Sequence, residues 1–218
     1  MDQIAEFFSK LHNLEDLIRW GGWVILAAIV FAETGLLAGF FLPGDSLLFV
    51  AGFLVGSGKL KPPEPLPGDP ITGMILLNAV LMGAAFLGNT TGYWVGSKAG
   101  RRLFERPNSR FFKREHLVKT QEFYDEHGGK TIIMAEFMPF ARTFAPVVAG
   151  IARMPYGRFM MFNVIGVVIW IFSMTLLGSL LGGVPMVQKH FEKVVLLIIV
   201  VSITPAVLHI LKARKAKK

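Results

Sequence analysis

Residues 31–54 read FAETGLLAGFFLPGDSLLFVAGFL, and how this stretch is understood decides the rest of the chain. It is too apolar for the surface of a soluble domain, yet it holds Glu33 and Asp45 and is cut by Pro43-Gly44. An α-helix does not run unbroken through such a pair. An ionised side chain at the centre of a bilayer costs at least ~2.5–3.5 kcal/mol on insertion scales. Broken backbone at membrane depth is tolerated only where protein packs around it or it lines a wet cavity. The stretch therefore predicts a re-entrant segment with its charges turned inward.

The composition agrees. Of 218 residues, 53% are hydrophobic and only 17% charged, and the mean hydropathy is +0.52. Several apolar runs reach the ~20 residues that cross the hydrocarbon region. The absence of cysteine excludes disulfides, thiolate catalysis and Cys-type zinc sites. The first twenty residues carry Asp2, Glu6, Glu15 and Asp16 and lack a basic region ahead of the apolar run, so no secretory signal is expected. The net charge of +8 sits mainly in residues 97–130 and in the tail 212–218, as in cytoplasmic loops of membrane proteins, and implies no nucleic-acid partner. The five histidines, His12, His116, His127, His190 and His209, show no metal-binding spacing, and no metal or cofactor is expected.

The expected fold is an all-α polytopic membrane protein. Residues 1–20 read as an amphipathic helix, with Ile4, Phe7, Phe8 and Leu11 on one side. Residues 23–55 form a first re-entrant hairpin, too long for one span and short for two. The Pro- and Gly-rich loop 56–70 follows, then a span over 71–95 that ends at Gly96, then the basic loop 97–130 with nine Lys/Arg against five Asp/Glu. Residues 131–151 are apolar but broken by Glu136, Pro139, Arg142 and Pro146. Spans over 159–181 and 194–211 precede the basic tail.

Parity sets the topology. If the loop 97–130 and the tail both face the cytoplasm, two later spans return the chain to the side it left. Segment 131–151 then begins and ends inside, as a second hairpin. The result is a hairpin followed by a span, twice, in opposite orientations: the inverted repeat common among transporters. Val50-Ala51-Gly52 after Pro43 and Val148-Ala149-Gly150 after Pro139 give it weak internal similarity.

Glu33, Asp45, Glu136 and Arg142 lie inside hydrophobic segments and are expected to pair around a protein-lined cavity, with Glu33 and Asp45 of one hairpin set against Arg142 of the other. Arg142 is the deeply placed cation, and a guanidinium grips a phosphate bidentately while staying protonated. A carboxyl that exchanges a proton as Arg142 swaps partners would couple anion movement to a proton gradient. A buried ion pair that only ties the hairpins together is the plainer reading. Asn163 is expected to hydrogen-bond a hairpin backbone, or simply to sit in small-residue packing around Gly166. Lys98, Arg101 and Arg102 could meet an anionic headgroup, although positive-inside topology explains them as well. Asn89-Thr90-Thr91 matches a glycosylation pattern but lies within a span and is discounted.

With residues 31–54, GNTTGYWVGSKAG (88–100) and FMPFARTFAPVVAGIARMPYGRFMMFNVIGVVIW (137–170), the chain resembles the DedA family, also called SNARE-associated or VTT-domain proteins. The resemblance covers about residues 23–183. It implies two membrane-embedded re-entrant hairpins, residence in a bacterial cytoplasmic membrane, dependence on the proton-motive force and a part in envelope integrity. It also implies lipid transport, notably return of undecaprenyl phosphate, or flipping of phospholipids such as phosphatidylethanolamine. The family's functional acids match Glu33 and Asp45, and a functional arginine matches Arg142. Two positions depart from the pattern: Glu136 stands where many members have a second arginine, and Asn89 where many have Asp. Arg153 is a candidate to supply the missing charge.

The leading expectation is a lipid-phosphate carrier and not an enzyme. A phospholipid scramblase and a proton-coupled ion or drug exchanger are the alternatives. A lipid phosphatase has no histidine nucleophile, metal cluster or Gly-rich phosphate loop near the acids, and a structural scaffold fits poorly with charges placed so deep. Oligomeric state is open, since residues 178–183 could pack within or between protomers.

Overall fold

The computed structural model describes residues 14–37, 39, 44–104, 129–182, 184, 186 and 187. Among these the chain is helical, with α1 Leu14–Gly35, α2 Gly44–Gly56, α3 Pro70–Phe104, α4 Lys130–Glu136, α5 Pro139–Ile151 and α6 Tyr156–Gly182. The predicted amphipathic helix lies largely, and the span 194–211 and the tail wholly, outside the described residues, as does most of the basic loop. α1 is kinked at Gly22, whose φ of 53° belongs to the left-handed region that glycine adopts without strain.

Among the described residues, two stretches are long and apolar enough to cross a membrane, Pro70–Lys98 in α3 and Tyr156–Gly182 in α6. At 1.5 Å per residue each is about 40 Å long, against about 30 Å of hydrocarbon. Their outer faces carry Ile71, Ile75, Leu87, Met161, Ile165, Val168, Ile169, Phe172 and Leu180, all exposed. So continuous an apolar surface belongs against lipid. α2, α4 and α5, with 13, 7 and 13 residues, are too short to cross alone. The sequence ends the third segment's span at Gly96, but the helix itself continues to Phe104. Gly96 is there for packing: a side chain on it would strike the backbone of Val147.

The chain divides into two compact units. In the first, formed by residues 1–30, 43–84 and 171–218, α2 is buried along almost its whole length, from Ser46 to Val55. It meets the second half of α6 backbone to backbone. A methyl group on Gly52 would lie 2.8 Å from Thr175 Cα, and one on Gly178 would lie 3.0 Å from Phe53 N. Gly56 and Gly182 extend the same contact by one turn on each helix, which makes it a small-xxx-small seam. Thr175 Oγ1 donates to Asn78 Oδ1 at 3.1 Å, and Asn78 Nδ2 donates to Met74 O at 2.9 Å. α3 opens on a cap: the N–H groups of Ile71 and Thr72 donate to Asp69 Oδ1 at 3.0 and 2.9 Å, with Pro70 in the first turn.

The second unit comprises residues 31–42 and 85–170. Its apolar centre is Tyr93, Ile132, Ala149, Ala152, Met154 and Phe159, with Val148 and Phe162 packed against it. The Tyr93 ring stacks on Phe159 at 4.9 Å, and its hydroxyl donates to Met154 O. Gly88, Gly92 and Gly96 form a bare stripe along α3 where Phe31 and Thr34 of α1 and Pro146 and Val147 of α5 come close.

Leucine in place of Gly178 should destabilise the first unit by at least about 1–3 kcal/mol, the usual cost of overpacking. Loss of a monodisperse species on size exclusion in detergent would register it, whereas an unchanged melting temperature would contradict the seam. Hydrogen bonds, first of all from the Thr72 N–H, hold the exposed Asp69 carboxyl below the usual carboxylate range. Its cap therefore stabilises at neutral pH and is lost as pH falls through that lowered value. Asp69→Asn should show a shallower loss of melting temperature on acidification than the parent protein.

Candidate functional site

In the second unit, the ends or faces of five helices place polar side chains together in an apolar interior. Glu33 comes from the last turn of α1, Asn89 from α3, Glu136 from the end of α4, Arg142 and Thr143 from the first turns of α5, and Asn163 and Trp170 from α6. All seven are buried, with Arg142 only 1% exposed.

The break between α4 and α5 explains how Arg142 comes to lie here. α4 ends at Glu136, and the chain restarts as a helix at Pro139, whose missing N–H is harmless in a first turn. Arg142 then folds back over the break, and its Nε donates to the Glu136 carbonyl at 2.7 Å. That carbonyl is one of those a helix C-terminus leaves without an internal partner. Thr143 does the same for α1, its hydroxyl donating to the Glu33 carbonyl at 3.1 Å. The start of α5 thus closes the ends of two other helices.

The charges follow. Arg142 Nη1 donates to Glu33 Oε1 at 2.7 Å in a buried ion pair. Glu136 Oε2 lies farther off, 3.9 Å from Arg142 Nε. The guanidinium carbon stands 3.7 Å from the centre of the Trp170 ring, a cation–π contact shielded from water. The other side of Glu136 is amide: Asn89 Nδ2 donates to Glu136 Oε1 at 2.8 Å and to Asn163 Oδ1 at 2.5 Å. Gly166, one turn beyond Asn163, leaves room for the Glu136 side chain, since a methyl group there would sit 2.9 Å from its Cγ.

Of the residues singled out in the sequence, Glu33, Glu136, Arg142, Asn89 and Asn163 meet in this cluster. Asn163 bonds the Asn89 side chain rather than a hairpin backbone, and the packing around Gly166 is present beside it. Asp45 opens α2 in the first unit and is half-buried there. Arg153 is exposed, at a φ of 57° in the turn after α5, and is absent from the cluster's contacts. Lys98 is exposed on α3, Arg101 and Arg102 continue that helix, and the five histidines lie outside the described residues. Sequence reasoning missed Trp170 and Thr143. Thr143 adjoins the deep arginine, and Trp170 lies twenty-eight positions away, visible only as an aromatic in an apolar span.

Comparison with known proteins sets this geometry in a family. The VTT domain model matches residues 42–180. Protein DedA of Escherichia coli K12 is 43% identical over 208 residues, covering 94% of this chain and 90% of that protein. This chain is a VTT-domain membrane protein of the DedA family. An uncharacterised membrane protein of Mycobacterium tuberculosis CDC 1551 is 40% identical over 190 residues, 87% of this chain and 79% of its own length. Inner membrane protein YghB of E. coli K12 is 29% identical over 182 residues, 83% of this chain and 77% of its own. No solved structure matches the chain.

Chemically, this VTT-domain cluster is a buried guanidinium already matched by the protein's own carboxylates. An outside anion could reach Arg142 only by an exchange of partners. Removing one member of a buried pair costs about 3–5 kcal/mol because the other charge is stranded. Arg142→Ala and Glu33→Gln should each lower stability by roughly that amount, and the double variant by clearly less than the sum. Chemical or thermal unfolding in detergent would measure all three. Additive losses would contradict a direct pair.

Proposed function

We propose that this protein is a carrier of lipid phosphate, most simply undecaprenyl phosphate, between the leaflets of a bacterial cytoplasmic membrane. The observation that carries the reading is the buried Arg142–Glu33 pair at 2.7 Å inside a membrane protein of the DedA family. A structural tie could be made of apolar side chains at no loss of stability, whereas an intramembrane guanidinium beside exchangeable carboxylates suits an anionic headgroup. In this reading residues 23–55 and 131–151 are re-entrant hairpins of an inverted repeat, and the basic tail faces the cytoplasm. The short broken helices α2, α4 and α5 support it.

Transport proceeds by partner exchange. The headgroup takes the place of a carboxylate on Arg142, and the displaced carboxylate is neutralised by a proton, so that headgroup and proton move as a coupled set. Asp45, at the start of α2, is a further functional acid in this reading. No bond in the lipid is broken, and the protein releases no inorganic phosphate from a lipid diphosphate.

A second reading has its own observation. Two carboxylates face one guanidinium in the described cluster, which favours a headgroup that brings a cation of its own, as phosphatidylethanolamine does.

Flipping of labelled polyprenyl phosphate in proteoliposomes separates the possibilities. Arg142→Lys and Asp45→Asn should lower the rate at least tenfold while the protein still unfolds cooperatively. An imposed proton gradient should accelerate the parent protein. Full activity in both variants would end the lipid-phosphate reading, and faster movement of phosphatidylethanolamine than of polyprenyl phosphate would select the second.

A further inference from the structure

The two acids on Arg142 are not equivalent, and their difference has a consequence for ligand choice. Glu33 makes the short contact, Oε1 to Nη1 at 2.7 Å. Glu136 stands back at 3.9 Å from Nε, because its other oxygen accepts the Asn89 amide at 2.8 Å. Asn89 is itself braced by Asn163. The stem of Glu136 is walled by Gly166, where even a methyl group would collide with Cγ at 2.9 Å. The carboxylate thus stands between the guanidinium on one side and the Asn89 amide, braced by Asn163, on the other.

We infer that Glu136 is a specificity-determining residue, an internal competitor that any anionic headgroup must outbid for Arg142, with Asn89 and Asn163 forming the place to which it withdraws. The inference rests on the reading of Arg142 as the headgroup site. A fixed negative charge within a few ångströms repels a second anion strongly where water is scarce. Glu136 therefore weakens binding of a phosphate monoester while leaving a neutral lipid unaffected. The amide tether sets how far the penalty is relieved, since each ångström of withdrawal from Arg142 lowers the repulsion and frees guanidinium N–H groups for the ligand.

The test measures binding of a short-chain polyprenyl phosphate to the full-length protein in nanodiscs, with the corresponding polyprenol as the uncharged probe. Glu136→Gln keeps the shape and the Asn89 contact but removes the charge. It should tighten phosphate binding about tenfold, equivalent to about 1.4 kcal/mol, and leave polyprenol unchanged. Asn89→Ala releases the tether and should weaken phosphate binding severalfold in the parent, yet have no effect in the Glu136→Gln background. Simple loss of packing would weaken both backgrounds alike. Equal or weaker phosphate binding by Glu136→Gln, or the same loss from Asn89→Ala in both backgrounds, overturns the competitor role. Equal phosphate binding by the parent and Arg142→Lys would instead overturn the headgroup site, and the competitor with it.

Discussion

A guanidinium and a carboxylate buried together in an apolar interior are the constraint around which the second unit is built. Each ion has left water at a cost of several kcal/mol, and only close approach with complete hydrogen bonding offsets it. The 2.7 Å contact of Arg142 with Glu33 supplies the close approach, and the neighbours add to it. The Trp170 ring covers the guanidinium, the Glu136 carbonyl takes its Nε, and Thr143 ties the Glu33 carbonyl. The bare glycine stripe of α3 is what lets α1 and α5 come near enough for residues 109 positions apart to touch.

The same arrangement joins stability to function. An arginine that served only as a binding group would be destabilising in the absence of ligand, with a charge buried and unmatched. Internal acids remove that penalty and so allow a deep cation to persist in the empty protein. They also raise the threshold for an outside anion, which becomes a matter of exchange rather than simple attraction. Family membership places this chemistry in a membrane. In the proposed carrier, the choice of headgroup depends on which internal acid yields.

Much of this was legible in the sequence, for physical reasons. A charge inside an apolar stretch must find a partner, so Glu33 and Asp45 are expected against Arg142; the structure shows the Glu33 pair, while Asp45 belongs to the first unit. Pro43-Gly44 marked a break, and α2 does begin at Gly44. The long apolar faces of α3 and α6 followed from hydropathy alone. Other features were hidden. Gly96 reads equally as a stop or as a packing site, and only its neighbour Val147 decides for packing. Asn163 needed to know which helix faced it, and local sequence carries no register between helices. The contact of Asn89 with Glu136 was invisible for the same reason, although both positions stood out one at a time as departures from the family pattern.

The seam between α2 and α6 has a bearing on assembly. Gly52, Gly56, Gly178 and Gly182 already face one another within a single chain, so this small-residue surface, of the kind that most readily pairs helices of separate membrane proteins, is occupied. What α6 presents outward is bulky instead: Met161, Ile165, Ile169 and Phe172. A second copy docking on that face would find no grooves for close backbone contact, only side chains that lipid tails solvate equally well. Along that flank the described residues offer bulky apolar side chains to lipid.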